Sequence, residues 1–156
     1  MTDSTLGLTR TFQGFFSRFP TLTDIQREGI PAILAGRDVL LCAPTASGKT
    51  EAYAAPTAER LLAGPRAPFA VLVVSPTRAL ANDLHRRLDP RMRQLQIGFG
   101  RHTGEHKERR GGKPAEFAIL TPESLDAALA RHPDTLLGVR MVVLDEIHVL
   151  DGTPRG

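Results

Sequence analysis

The sequence predicts an α/β fold in which a doubly wound, mostly parallel sheet carries helices on both faces. Short apolar runs that suit buried strands alternate along the chain with longer amphipathic segments that suit helices. Such alternation is typical of right-handed βαβ crossovers. Polar and charged residues follow several of the predicted strands directly, and ligands of this fold class bind at the carboxyl ends of the strands.

Composition limits the class of protein. The 156 residues, 41% hydrophobic and 24% charged, suit one globular domain with a sizeable core and argue against disorder. A net charge of +3 permits a polyanionic partner without requiring one. The single cysteine, Cys42, excludes an internal disulfide, and its place in a predicted buried strand favours a structural thiol. The sequence has neither an apolar run of membrane-spanning length nor a signal peptide, so we expect a cytoplasmic protein without membrane contact.

Two helices are predicted in the N-terminal region. The first covers residues 9–19. The second begins at Thr23, where Thr23 and Gln26 have the spacing of a capping box. Pro31 is expected to kink this helix or to mark a new first turn, and Gly36 is expected to end it.

The rest of the chain continues the alternation. Leu80, Leu84 and Leu88 form an apolar helical stripe, and the stretch 101–116 mixes basic residues with glutamates and glycines, which predicts a basic loop with at most one helical turn. The other predicted elements are a helix over 50–62 interrupted at Pro56, a buried strand over 69–74, a helix from Thr77 that Asp89 and Pro90 break or restart, strands over 96–99, 117–120 and 141–144, and a helix over 122–131.

Residues 43–50 have the features of a phosphate-binding loop, because they follow an apolar, strand-like run over 39–42 and open a helix. A sharp turn there aims backbone N–H groups and the positive end of the helix at one point, where a polyphosphate can bind. Gly48 permits close approach, Lys49 can reach the β- and γ-phosphates, and the Thr50 hydroxyl can ligate Mg²⁺. Alanine occupies the first and fourth positions, where related loops have glycine, so the loop needs a second element to support it.

That second element is the pair Asp145 and Glu146, which follows the apolar run 141–144. Nucleotide hydrolysis needs an acidic residue that holds Mg²⁺ and a carboxylate that orients and deprotonates the attacking water. We assign Asp145 to the metal and Glu146 to the general base. An isolated Asp-Glu pair after a strand is more often a solvated acidic turn, but the phosphate loop upstream favours a catalytic role.

The motifs, taken in order, resemble those of the first motor domain of superfamily-two DExH-box helicases, and among these most closely the large helicase-related, or Lhr-type, family. The matching segments are Phe19 to Gln26 (Q motif), Ala43 to Thr50 (motif I), Ser75 to Leu80 (motif Ia), Thr121 to Ser124 (motif Ib) and Asp145 to His148 (motif II). The resemblance implies a RecA-like P-loop NTPase fold. It also implies an enzyme that uses ATP and Mg²⁺ to unwind, or translocate along, single-stranded DNA or RNA.

The resemblance also implies a role for each matching residue. Lys49, Asp145 and Glu146 would be catalytic, with Thr50 and Asp145 at the metal. Gln26 would read the adenine edge, although it also occupies the capping-box position, and one of Phe12, Phe15, Phe16 and Phe19 could stack on the base. The residues that would contact the nucleotide are Gln26, Thr45, Ala46, Ser47, Gly48, Lys49 and Thr50.

Nucleic acid would bind through the loops that resemble motifs Ia and Ib. The residues implied in these loops are Pro76, Thr77, Arg78, Thr121, Pro122 and Glu123, and Gly104 lies where the family has another backbone contact. The alternative for both loops is a plain helix start, because Thr77 and Thr121 stand where helix caps are preferred. His148 would link motif II to motif III, and its alternative is a local hydrogen-bonding residue.

On the same resemblance, residues 1–36 form N-terminal helices with the Q-motif-like segment, and 37–156 form an incomplete RecA-like domain packed with them. The family continues with a motif III strand inside the sheet and a second motor domain that carries an arginine finger. We therefore expect the 156 residues alone to be unstable or to aggregate, to bind nucleotide weakly at most and to hydrolyse it negligibly. A translocase subunit that does not unwind and a non-catalytic, truncated nucleotide- or partner-binding remnant are the alternatives.

Overall fold

The structure is a computed structural model that describes residues 6–103, 106–107 and 115–149. The contacts within the chain divide it into two compact units, 1–65 and 66–156. The first unit is helical in its described part, and the second contains a sheet. Within the described ranges, no helix is long and apolar enough to cross a membrane.

Three α-helices form the first unit: α1 (Phe12–Phe16), α2 (Asp24–Leu34) and α3 (Lys49–Ala63). The predicted start of α2 after Thr23 is confirmed, and Gly36 beyond its end has the left-handed φ of 78° that favours glycine. The prediction that Pro56 interrupts α3 is wrong, and Pro31 likewise lies within α2. A proline removes one helical hydrogen bond, and the packing of α3 against α1 and α2 offsets that loss.

The predicted strand over residues 39–42 is not formed. This segment has no regular secondary structure, and Val39, Leu40 and Cys42 are exposed, with Leu40 at 76%. The interpretation of Cys42 as a buried structural thiol is therefore wrong. An apolar run predicts a preference for burial in a sheet, but a strand forms only when a neighbouring strand pairs with it, and within the described ranges none does.

Glu59 of α3 fixes the segment that precedes α1. Its carboxylate accepts hydrogen bonds from the Thr9 hydroxyl at 2.8 Å, from the Arg10 amide at 3.0 Å and from the amide and hydroxyl of Thr11 at 2.9 and 3.0 Å. Burial raises the pKa of the Glu59 carboxyl, but these hydrogen bonds outweigh burial and leave the pKa below its ordinary value. The ionised form of Glu59 therefore stabilises the fold.

We expect the Glu59→Gln substitution to lower the free energy of unfolding at pH 7 by about 1–3 kcal/mol. Because the folded-state pKa is depressed, the stabilisation by the carboxylate is present above the unfolded value of 4.5 and is lost as the pH falls through the folded pKa. The difference between variant and parent should therefore shrink below that pH in urea unfolding. Glu28→Gln, at an exposed position of α2, is the matched control, and an equal effect of both substitutions would contradict the expectation.

The second unit contains a sheet with strand order β3-β2-β4-β1-β5. Strands β2, β4, β1 and β5 are parallel, and β3 is antiparallel to β2. The mostly parallel sheet is thus confirmed. The strands are β1 (Val71–Val74), β2 (Phe99–Thr103), β3 (His106–Lys107), β4 (Phe117–Leu120) and β5 (Met141–Leu144).

Helices cover both faces of this sheet. Helix α4 (Arg78–Gln94) lies on one face, where its His85 ring stacks on Phe99 with the ring centres 4.8 Å apart. Helix α5 (Pro122–Arg131) lies on the other, where Leu125 packs against a buried cluster that includes Leu72, Ala118 and Leu120. This arrangement confirms the doubly wound layers, and the predicted bounds of α5, β4 and β5 are confirmed as well.

Several predicted details in the second unit are wrong. Helix α4 runs through Asp89 and Pro90 without a break, and Leu80 is exposed. The short strand predicted over 96–99 begins at Phe99 instead, because Gln96 adopts a left-handed φ of 55° that ends the preceding turn.

The basic loop predicted over 101–116 is also partly wrong. Residues 101–103 belong to β2, and 106–107 form β3. The sequence did not predict these strands, because a strand near the edge of a sheet tolerates polar side chains and a charged stretch therefore lacks the apolar pattern of a buried strand. Residues 104–105 and 108–114 lie outside the described ranges.

Strand β5 is less buried than predicted. Val142 is 56% exposed and Leu144 is 52% exposed, whereas the run was expected to be fully buried. The reason is the position of β5 in the sheet: it pairs with β1 on one side and, among the described strands, has no partner on the other. A run of branched apolar residues predicts a strand but not its position in the sheet.

Candidate nucleotide and nucleic-acid sites

Lys49 folds back into the curve of the predicted phosphate loop. Its ammonium donates to the carbonyl oxygens of Ala43 at 2.6 Å and Pro44 at 3.0 Å. Gly48 precedes α3 with a φ of 87°, and Ala46 has a φ of 62°. The loop therefore turns sharply into α3 through two left-handed residues, and Lys49 places a positive charge at the start of the helix, where the helix dipole also favours an anion.

Gln26 connects α2 to this loop. Its side-chain amide donates to the Gly48 carbonyl at 3.2 Å, while its Oε1 accepts from the Thr23 amide at 3.0 Å. The capping role of Gln26 is thus confirmed. Adenine recognition by the same side chain stays a prediction.

The loop fits a polyphosphate. The Ser47 hydroxyl is buried and has no hydrogen-bond partner within the described part of the chain. Unsatisfied buried hydroxyls are costly, so Ser47 has a donor available to a ligand oxygen. Thr50 lies in the first turn of α3, Thr45 is exposed, and the backbone at Ala46 turns toward α3.

In the second unit, the structure brings together three of the predicted strand-end segments. Val74 at the end of β1 is in register with Leu120 of β4 and Leu144 of β5. The loops that follow these strands are held side by side, because the Ser75 amide donates to Leu120 and the Asp145 amide donates to Val74, both at 2.9 Å. The motif Ia, Ib and II segments therefore share the carboxyl edge of the sheet.

The acidic pair lies at one end of this carboxyl edge, because it follows β5, a terminal strand of the described sheet. Glu146 has a left-handed φ of 50°, a conformation that costs energy for a residue other than glycine and that recurs at functional sites. Its Oε2 lies 3.4 Å from Nδ1 of His148. His148 thus has a local partner in Glu146, which agrees with its alternative role as a local hydrogen-bonding residue. Its link to a motif III segment stays a prediction.

The threonines of motifs Ia and Ib cap their helices. The Thr77 hydroxyl accepts from the Leu80 amide at 3.2 Å, and the Thr121 hydroxyl accepts from the Ser124 amide at 3.4 Å. The capping alternative is therefore seen at both loops, which does not test phosphate binding by the same groups. Arg78 and Glu123 are exposed, Pro76 is buried, Pro122 is the first residue of α5, and Gly104 lies outside the described ranges.

Sequence reasoning did not single out Arg18 and Glu51. Among the four N-terminal phenylalanines, Phe15 and Phe16 are buried and Phe12 is half-buried, whereas Phe19 is 44% exposed. The Arg18 guanidinium lies over the Phe19 ring and also near Glu51 of α3. The adjacent Arg-Phe pair was the available signal, but its partner on α3 is distant in sequence.

A parallel α/β sheet with carboxylates at a strand end, together with a lysine-bearing loop at a helix start, defines a P-loop nucleoside triphosphatase domain. The sequence model of the DEAD/DEAH box helicase family matches residues 23–156. The chain belongs to the DEAD/DEAH box helicase family.

Individual relatives agree with this assignment. ATP-dependent helicase Lhr-Core protein 2 of Thermococcus barophilus is 34% identical over 91% of this chain, and ATP-dependent helicase Lhr-Core of Methanocaldococcus jannaschii is 34% identical over 87%. The structure of Mycobacterium smegmatis helicase Lhr bound to ssDNA and AMP-PNP matches 94% of this chain and 21% of that one, with a TM-score of 0.81 and 34% identity. The chain spans 19% of the length of each of the two Lhr-Core relatives.

Proposed function

We propose that this chain is the N-terminal, ATP-binding part of an ATP-dependent nucleic-acid helicase of the DExH type, which couples ATP hydrolysis to unwinding or translocation on DNA or RNA. The observation that carries the proposal is the loop 43–50, in which Lys49 donates to the Ala43 carbonyl and the buried Ser47 hydroxyl has no hydrogen-bond partner among the described residues. The relatives named ATP-dependent helicases support it.

The first unit would bind the nucleotide. Ser47, Gly48 and Lys49 would hold the phosphates, with Thr45 and Ala46 shaping the loop, and Gln26 would exchange a protein contact for the adenine edge. Mg²⁺, held by Thr50 and Asp145, would neutralise charge on the phosphates. Lys49 would stabilise the charge that develops on the transferred phosphoryl group, and Glu146 would accept a proton from the attacking water.

Single-stranded nucleic acid would cross the carboxyl edge of the sheet. The adjacent loops offer the Arg78 guanidinium, backbone N–H groups at two helix starts, and hydroxyls that would have to share their capping bonds. The residues proposed are Pro76, Thr77, Arg78, Gly104, Thr121, Pro122 and Glu123. A second motor domain in the full-length protein, the division of this chain into 1–36 and 37–156, and a cytoplasmic location belong to the same proposal.

Replacement of Lys49 by alanine tests the nucleotide site. We expect Lys49→Ala to weaken ATP binding at least a hundredfold, because it removes the cation in the loop. Titration of a fluorescent ATP analogue measures the change. Arg93→Ala is the control, since Arg93 is an exposed cation on α4 paired with Asp89. Unchanged ATP affinity in Lys49→Ala would reject the phosphate-loop assignment.

A further inference from the structure

Helix α4 is strongly basic. Its five arginines and two aspartates give residues 78–94 a net charge of +3, which equals the net charge of the whole chain. The other residues of the chain are therefore neutral in sum. Helix α4 begins at Arg78, one of the residues proposed to bind nucleic acid, so the positive charge lies on the element that leaves that loop.

A groove of about 720 Å³ lies between α4 and β2, and we call it the α4–β2 groove. Among the residues that line it are Asn82, His85 and Arg86 of α4 and Arg101 of β2. The Arg101 guanidinium donates to the side-chain carbonyl of Asn82, and the Arg86 guanidinium donates to Asp83 at 2.6 Å. These bonds restrict the rotamers of both arginines, so less conformational entropy remains to be lost when an anion binds.

The His85 ring is held by a series of aromatic contacts that begins in the core. Phe117 is fully buried and contacts the ring of Phe99, with the ring centres 5.7 Å apart. His85 stacks on Phe99 with the ring centres 4.8 Å apart and the planes 4° from parallel. Phe99 is buried, whereas His85 is half-buried and lines the groove. The groove therefore has a firmly held flat ring on its wall, and histidine is among the side chains on which unpaired bases stack.

One end of the groove lies near the carboxyl edge of the sheet. Strand β2 is parallel to β4, and His102 is in register with Leu120, the last residue of β4. Arg101 precedes His102 and projects to the same side of the sheet as Phe99, because the two are two residues apart. Arg101 therefore lies next to the edge that carries the motif Ia and Ib loops, and His85 lies further from that edge, beside Phe99. A strand that crosses those loops can continue into the groove.

We propose that the α4–β2 groove binds the continuation of the single strand that crosses the carboxyl edge, with Arg86 and Arg101 at its phosphates and His85 stacked on a base. This inference rests on the proposed function, since it extends the path of the same nucleic acid beyond the loops. A basic groove that follows the backbone, together with a ring that stacks on bases, is how proteins hold single strands without reading their sequence. An acidic protein segment would use the arginines but not the ring, so the groove favours nucleic acid.

The experiment measures the binding of a fluorescein-labelled oligothymidylate to the 156-residue chain by fluorescence anisotropy at several salt concentrations. Arg86→Ala and Arg101→Ala should each weaken binding and lower the slope of log affinity against log salt by about 0.7, the value for one phosphate of a single strand. His85→Ala should weaken binding roughly tenfold and leave that slope unchanged, because stacking releases no counterion. His85→Phe should retain the affinity of the parent. The matched controls are Arg131→Ala and His132→Ala, at two exposed positions at the end of α5, and both should bind like the parent.

Four results would overturn the inference. Unchanged affinity in the three alanine variants of the groove, combined with a loss in Arg78→Ala, would confine the nucleic acid to the loops and leave the proposed function intact. Losses of equal size in the groove and control variants would indicate a general effect of net charge. Polyglutamate that displaces the labelled oligothymidylate as well as the unlabelled oligothymidylate does would point to an acidic protein segment. A parent chain that does not bind the oligonucleotide would reject the inference together with the nucleic-acid part of the proposed function.

Discussion

Gly48→Val is expected to weaken ATP binding by roughly a hundredfold. Gly48 has a φ of 87°, and a Cβ atom there would lie 2.2 Å from Nε2 of Gln26. A valine that kept this left-handed conformation would cost about 1–2 kcal/mol, and its side chain would also break the bond between Gln26 and the Gly48 carbonyl, at about 0.5–1.5 kcal/mol. Both changes distort the loop that presents Lys49, and each 1.4 kcal/mol corresponds to a tenfold change in affinity.

A matched control separates backbone strain from loss of the site. Gly36 has a similar φ of 78° and lies beyond the end of α2, where a Cβ would lie 3.5 Å from the Arg60 guanidinium. We expect Gly36→Val to lower the thermal unfolding midpoint and to leave ATP affinity near that of the parent. Equal losses of affinity in the two variants, measured by titration with a fluorescent ATP analogue, would mean that Gly48 matters for folding rather than for the loop.

The features that the sequence predicted well are those set by local chemistry. Thr121, Pro122 and Glu123 specify a helix start through a cap, a fixed φ and a favourable charge, and α5 begins at Pro122 as predicted. Lys49 at the end of a loop that opens α3 is specified in the same local way. The capping box of Thr23 and Gln26 is also local, since it spans four residues, and the structure contains its bond from the Thr23 amide to Gln26.

The features that the sequence predicted poorly depend on neighbours that are distant in the chain. The pattern of the apolar run 39–42 indicates a buried strand whether or not a second strand pairs with it. The pattern of Val142 and Leu144 likewise indicates core residues, although β5 lies at the edge of the sheet that the described strands form. Likewise, the spacing of Arg18 and Glu51 carries no periodic signal, because their contact depends on how the chain before α2 packs on α3. Periodicity reports which face of an element prefers burial but not what covers that face.

The edge position of β5 predicts that the 156-residue chain associates with itself. Within the described part of the chain, strand β5 has unpaired backbone groups along its outer edge. The exposed side chains of Val142 and Leu144 add apolar surface to the same strand. An exposed apolar strand edge is a template for pairing with another chain. We expect the purified chain to form dimers and larger species at micromolar concentration, measured by sedimentation velocity.

Charged substitutions on β5 test whether this edge is the cause. The double substitution Val142→Lys and Leu144→Lys should weaken self-association at least tenfold, because lysines on an edge strand repel an incoming copy and must be desolvated for pairing. The control adds the same charge at Leu129 and Leu137, which are 54% and 83% exposed on other parts of the second unit. If both double variants lose self-association equally, net charge is the cause rather than the β5 edge; a monomeric parent chain with a cooperative thermal transition would contradict the prediction outright.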